Sequence, residues 1–552
     1  MRTFIFLLFC FSTGIVSAQK IEYQLIQSNV FEDEKYKTTL LFAEEDTNGD
    51  IYVVRNFLAS FPAPKGYYIE RYNAALELLD RTIIPIERSE VRGLFLKEGK
   101  VALIEFRYVQ KEKSYNFYLL ESSKEKFSFS EKEILSIDRS KMDKYDHYGI
   151  RKEIEYNSNH YYEFGDVVTS DNKEFFSISV LFKQKKGNAF KIHTFTKEGV
   201  LLYDYLLDEI DEKTLDKKYK KTPLLVYQNM LLGDDGVAYL LAKIYYNGSL
   251  EPERKGKPNY NYELFKITGS SRHKQKSLLV GDNFMFGMQL VASQDKLFAV
   301  GVYNDELPSL FKNSLLYLFS KLEGNDGVVR FEVDKELFSE VKTYDVDFSE
   351  IIKEDLKPKG RSLGGEVLSF VSGRDKFNKA GVIAFVPHSV QLLPNNDIVL
   401  MLEQRITTVA NNGMSSTSWY GNTILLKVNG QGELIYDRGI KKSSINGNLN
   451  KVPNHSFASL INEKGSYILF NGEAIPEKLE DGRMIFENTN DNYAHIVRVS
   501  GRGQKHHQRA FHWLDEKVSF EFRFAKQISE NKLLVEVEND KNPQLMVIEI
   551  TN

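Results

Sequence analysis

The sequence predicts an all-β repeat fold, an eight-bladed β-propeller, on three observations. A strand–turn–strand unit recurs eight times, a second apolar strand follows most copies, and the chain ends one strand short while starting with one to spare. A seven-bladed ring is the alternative if one unit is misread.

The first copy reads Leu40-Leu41-Phe42, a turn at 46–50 with the sequence Asp-Thr-Asn-Gly-Asp, then an apolar strand at 51–54. The second turns at 98–100 into 101–106, the third at 171–173 into 175–182, and the fourth at 233–236 into 237–246. The remaining four turn at 294–296, 394–397, 463–465 and 530–532, each followed at once by an apolar run. Gly, Asn and Asp belong in such turns because they accept the positive φ of a tight hairpin. Third strands are read at 67–69, 117–120, 191–195, 262–265, 315–318, 424–428 and 495–499. Fourth strands follow in several copies, as at 200–203 and 434–436, and four antiparallel strands make one propeller blade. The last copy ends after its third strand, at 545–550, and an orphan strand occupies 21–26. Pairing the two closes the ring and leaves no open edge.

Two stretches break the rhythm and are expected as surface insertions: about 136–160, charged and short-helical, and about 335–385, with a helix-like piece near 347–356 and glycines at Gly360, Gly364 and Gly365.

Residues 1–18 have the form of a secretory signal peptide: Arg2, an apolar run at 4–11, then Val16-Ser17-Ala18 ahead of Gln19. The expectation is therefore an exported, periplasmic or extracellular protein, with residues 19–552 forming one propeller domain and no transmembrane segment after the signal. The single cysteine, Cys10, lies inside that leader, so the mature chain has no disulfide and no thiolate chemistry. A long chain can do without them, because it buries a large fraction of its surface. The net charge of −4 with interspersed signs argues against nucleic-acid binding.

The stretch from 390–397 through 424–428 to Ser456-Phe457 resembles secreted β-propeller-like proteins of Bacteroidota. That resemblance implies export within a Gram-negative envelope and carries over no catalytic residue. The Gly-His and Trp-Asp punctuation of WD40 repeats is missing.

No catalytic set emerges. Gly360-Arg361-Ser362-Leu363-Gly364 matches a nucleophile elbow in letters only, since residues 355–359 before it do not read as a buried strand. His506, His507 and His512 cluster near Trp513, but adjacent histidines on a strand point to opposite faces, so a metal site is not expected. Asp46, Asn48 and Asp50 lack the remaining elements of an EF-hand and read as a hairpin turn. The candidate ligand-binding residues are Glu403, Arg405, Trp419 and Tyr420, aromatics beside charges around a Ser/Asn/Gly-rich loop. The expected function is a non-catalytic binding or scaffold protein of the cell envelope, with a protein or glycan ligand and neither cofactor nor metal. The alternative is a propeller lyase or hydrolase using paired carboxylates on glycans.

Overall fold

The computed structural model describes residues 20–31, 38–58, 65–85, 89–97, 99–123, 127–142, 166–183, 188–207, 224–245, 253–270, 273–293, 295–304, 327–338, 341–347, 351, 385–409, 416–440, 442–447, 457–473, 485–486, 492–512, 519–520, 522–539 and 542–551. They form an eight-bladed β-propeller of four-stranded antiparallel blades.

Blade 1 consists of Thr38–Glu45, Ile51–Leu58, Lys65–Tyr72 and Leu78–Pro85, and blade 2 of Ser89–Lys97, Lys100–Val109, Ser114–Ser122 and Phe129–Asp138. Blade 3 holds Asp166–Thr169, Phe175–Lys183, Asn188–Thr196 and Leu201–Leu207; blade 4 holds Leu224–Leu232, Ala238–Tyr245, Tyr260–Ile267 and His273–Leu278. Blade 5 is Phe284–Ala292, Lys296–Asn304, Gly327–Asp334 and Val341–Asp347. Blade 6 is Phe385–Leu392, Ile398–Val409, Ser416–Val428 and Leu434–Ile440, and blade 7 is Ala458–Asn462, Gly465–Glu473, Asn492–Ser500 and Lys505–His512. Blade 8 splits its first strand into Ser519–Phe520 and Lys526–Gln527, then continues with Lys532–Asn539 and Asn542–Ile550. Its fourth strand is Tyr23–Gln27, which pairs antiparallel from Tyr23 opposite Ile550 to Gln27 opposite Met546. The expected closure is therefore present.

The apolar runs of the second strands are continuous because both blade faces are covered. In blade 1, Tyr52 and Val54 pack toward blade 2, against Val101 and Leu103. Their neighbours Ile51 and Val53 pack the opposite way, onto Leu534 and Val547 of blade 8. Equivalent cores fill the other seams. First strands of neighbouring blades meet around the axis, and those of blades 1, 2, 4, 5 and 6 each carry a register break. Such bulges add the local twist that an innermost strand needs.

The Asp46–Asp50 turn is a hairpin turn built by its side chain: Asp46 Oδ1 accepts from the backbone N–H of Asn48 and of Asp50, both at 2.9 Å. Asn73 and Asn429 repeat the device with the N–H groups two and four residues on. The fourth turn residue then takes positive φ, at Gly49, Leu76 and Gly432. Asx side chains stabilise such turns by replacing backbone acceptors.

Three expectations change. The third strand of blade 5 is Gly327–Asp334, paired along Lys296–Asn304, and 315–318 lies outside the described residues. The predicted 335–385 insertion begins too early, because Val341–Asp347 is the fourth strand of blade 5. Likewise, the stretch from 136 is still strand to Asp138 and continues as a single 3-10 turn, Arg139–Lys141. Residues 143–160, 339–340, 348–350 and 352–384, the leader 1–18 and the Gly360–Gly364 motif lie outside the described residues. Among the described residues no helix is long and apolar enough to cross a membrane.

Candidate functional site

Strand alternation sorts the connections between two sides of the ring. First-to-second and third-to-fourth connections fall on one side and are tight turns, such as 46–50, 233–237 and 429–433. Second-to-third connections and blade-to-blade crossings fall on the other. The strand ends on that side are the ones that bound the longest connections in the sequence, 208–223, 305–326, 348–384 and 474–491 among them.

On this second side blade 6 grows an arm. Its second and third strands, Ile398–Val409 and Ser416–Val428, pair normally from Ile398 opposite Val428 to Glu403 opposite Thr423. After a register break they pair again, from Arg405 opposite Tyr420 to Val409 opposite Ser416. The blade's fourth strand stops at Ile440, and a further strand, Ser443–Gly447, takes its place beside Thr417–Tyr420. Ile485–Phe486, from blade 7, adds to it in parallel. The arm extends the sheet by roughly 14 Å at the rise of an antiparallel strand.

Three of the four sequence-predicted residues lie on this arm. Arg405, Tyr420 and Ser444 form one cross-strand row, and Ile406, Trp419 and Ile445 form the next. Glu403 stands apart, at the arm's root. It is 1 % exposed and forms an ion pair with Lys442, itself 2 % exposed. Residues Asn422 and Thr423, at the register break, are buried beside it in the sheet. His388, in the bulge of the first strand, lies edge-on to Phe457 of blade 7 at 4.6 Å, and Lys442 Nζ stands 5.3 Å from the same ring. Burial pulls the Lys442 ammonium below its ordinary range against the opposing pull of Glu403. Burial, helped by Lys442, lowers His388 to about 3, so this imidazole is neutral.

The root belongs to a wider belt. Past the apolar start of the second strand, a polar residue recurs on the long-connection half: Arg55, Glu105, Lys243, Glu403, Asn471 and Glu536 in blades 1, 2, 4, 6, 7 and 8. Arg55 is wholly buried, grips Glu70 through two hydrogen bonds of 2.7 and 2.8 Å, and lies 3.6 Å from Glu536. Burial alone would raise the Glu70 carboxyl, yet Arg55 and Arg81 together hold it below its usual range. Glu105 pairs with Arg107 at 2.6 Å. Lys243 sits among aromatic rings, 3.8 Å from the centroid of Tyr260 and 5.0 Å from that of Tyr245. The charged members of the belt are each held by neighbouring charges or rings, as burial demands. The signal was present in the sequence as a charge or amide ending each run, in Ile51–Asn56, for instance, or Ile398 to Glu403.

The histidines of blade 7 separate. His507 meets His495, a residue the sequence reading missed, with Nε2 and Nδ1 3.0 Å apart and the rings stacked. His512 stacks instead on Tyr493 at 4.4 Å. Among the described residues no group of three metal-ligating side chains converges.

No protein-family model matches the chain, and no curated protein matches it. Solved structures do. The β-propeller domain of the Trilobed protease from Pyrococcus furiosus aligns at 8% identity over 76% of this chain and 97% of its own, with a TM-score of 0.32. Polysaccharide lyase Uly1 aligns at 10% identity over 96% of this chain and 100% of its own, TM-score 0.37. An acylaminoacyl peptidase of Pyrococcus horikoshii aligns at 8% identity over 91% of this chain and 58% of its own, TM-score 0.35.

Proposed function

We propose that this chain is an exported, non-catalytic binding or scaffold protein of the cell envelope, akin to secreted Bacteroidota propellers, that takes a protein or glycan on the arm of blade 6. The observation that carries this reading is the arm itself. It prolongs one blade beyond the ring, on the side with long connections, and brings Arg405, Trp419 and Tyr420 into adjacent cross-strand rows. Aromatic and arginine side chains supply much of the binding energy where proteins or sugars dock. The buried charges favour binding over catalysis, since Glu403, Glu70 and Glu105 are each engaged by a cation.

The test is a comparison of the wild-type chain with the Trp419→Ala, Tyr420→Ala double variant. Both are immobilised and exposed to a panel of glycans and to envelope extract. Specific capture that falls about tenfold or more in the variant, with an unchanged circular dichroism spectrum, is expected. Equal capture by both chains refutes the arm as the site. Release of new chain ends from a polysaccharide would establish the glycan-enzyme alternative instead.

A further inference from the structure

We propose that Glu403 and Lys442 are joined by an isopeptide bond, an autocatalytic cross-link that clamps the root of the blade 6 arm. The carboxylate and the amine are in direct contact, and their side chains are 1 % and 2 % exposed. Two ions in a dry interior are a costly final state, because each has given up much of its water and their attraction must offset that loss. Condensation removes both charges at once and leaves a neutral amide.

The atoms balance without any further reactant. A proton passes from the Lys442 ammonium to the Glu403 carboxylate, giving a neutral amine and a carboxylic acid. The Nζ lone pair attacks Cδ, the C–N bond forms, and a C–O bond breaks as one oxygen leaves with two protons as water. The shift of Lys442 toward the neutral amine favours the first step. His388 packs edge-on against the Phe457 ring that also faces Lys442.

Position gives the bond a purpose. Glu403 is the last residue of the second strand before the register break, and Lys442 lies between the end of the fourth strand and the start of Ser443–Gly447. A covalent link there ties both sides of the arm to the ring at the level where the ordinary ladder stops. It is also a staple open to a chain whose only cysteine is Cys10. Closing a loop by a covalent bond restricts the unfolded chain whatever the chemistry of the link.

Mass spectrometry of the full purified chain tests the proposal independently of any ligand. The denatured wild-type protein is expected about 18 Da lighter than its sequence, the mass of one water. Its proteolytic digest should contain a branched peptide joining the segments of Glu403 and Lys442. Lys442→Arg retains the cation but offers no amine, so its mass should equal its sequence. A wild-type chain of unreduced mass overturns the proposal, and so does a water loss mapping elsewhere. Both measurements are read on the wild-type chain, so they decide even if a variant fails to fold.

Discussion

His193 makes this protein acid-sensitive by an amount that can be worked out. The ring sits in the third strand of blade 3, 4% exposed, and neither of its nitrogens has a hydrogen-bond partner among the described residues. Burial, and then the nearby Lys191, lowers it from 6.5 to about 4. Between those values the unfolded chain binds a proton that the folded chain refuses, so stability falls as the pH falls. Its contribution is whole above the unfolded value and is lost on descent toward the folded one. From about pH 7 to about pH 5 the loss attributable to this one ring is about 2 kcal/mol. His388 and His507 are shifted in the same direction, and the carboxylates add their own terms, so the comparison must be differential. Urea unfolding of wild type and His193→Leu at the two pH values isolates the single ring. The variant should lose about 2 kcal/mol less than wild type on acidification. If both lose the same amount, His193 is protonated in the folded state and its burial is not as described.

Arg55→Met should lower stability by about 3–5 kcal/mol, because Glu70 and Glu536 lose their shared partner in a dry seam; differential scanning calorimetry reads the loss, and a shift under about 1 kcal/mol refutes the role. Deleting residues 20–27 removes the strand paired to Asn542–Ile550 and bares an edge, so the variant should aggregate in size-exclusion chromatography where wild type elutes as one species. Gly432→Ala should cost at least about 1 kcal/mol in thermal unfolding, since φ there is +89° and a Cβ would fall 2.2 Å from the Tyr344 ring.

Eight turns and a ring closed by its two ends were legible because both depend on local chemistry. An Asx or Gly turn declares itself in four or five residues, and a second strand buried on both faces appears as an unbroken apolar run, as from Ile51 to Val54. The third strand of blade 5 was not legible for the same reason. Residues 315–318 are uniformly apolar, whereas Gly327–Asp334 contains Arg330 and Glu332. Those two belong in the interior only because Arg330 pairs with Glu332 at 2.8 Å and reaches the carbonyl of Asn429 in the next blade at 2.6 Å. The site divides in the same way. Trp419, Tyr420 and Arg405 stood out by type beside a polar loop, but the partnership of Glu403 with Lys442, across 39 residues, has no local signature. His388 and His495 were missed for lack of neighbours in sequence that mark them.

What keeps eight blades in register is a separate question from what makes them adhere. The apolar seams favour contact but are non-directional, so each alone tolerates a small slip or rotation. Errors of that kind add around a ring, and Tyr23–Gln27 can meet Asn542–Ile550 only if eight of them sum to nearly nothing. Every seam carries a directional contact that limits the error. The Val91 N–H donates to Tyr67 Oη between blades 1 and 2, Lys132 donates to the Glu198 carbonyl between 2 and 3, and Tyr203 to that of Gly236 between 3 and 4. Tyr260 donates to Met285, Arg330 to Asn429 and Arg438 to Gly503 across the next three seams. Tyr23 donates to Ala510 between 7 and 8, and Lys532 to Glu45 between 8 and 1. Six of these eight acceptors are backbone carbonyls, namely those of Glu198, Gly236, Met285, Asn429, Gly503 and Ala510, which a drifting side chain cannot carry with it. Each bond contributes little net stability, since water would satisfy the same groups in the unfolded chain. Its value lies in being lost when a blade shifts, which makes the mis-set ring worse rather than the correct one better.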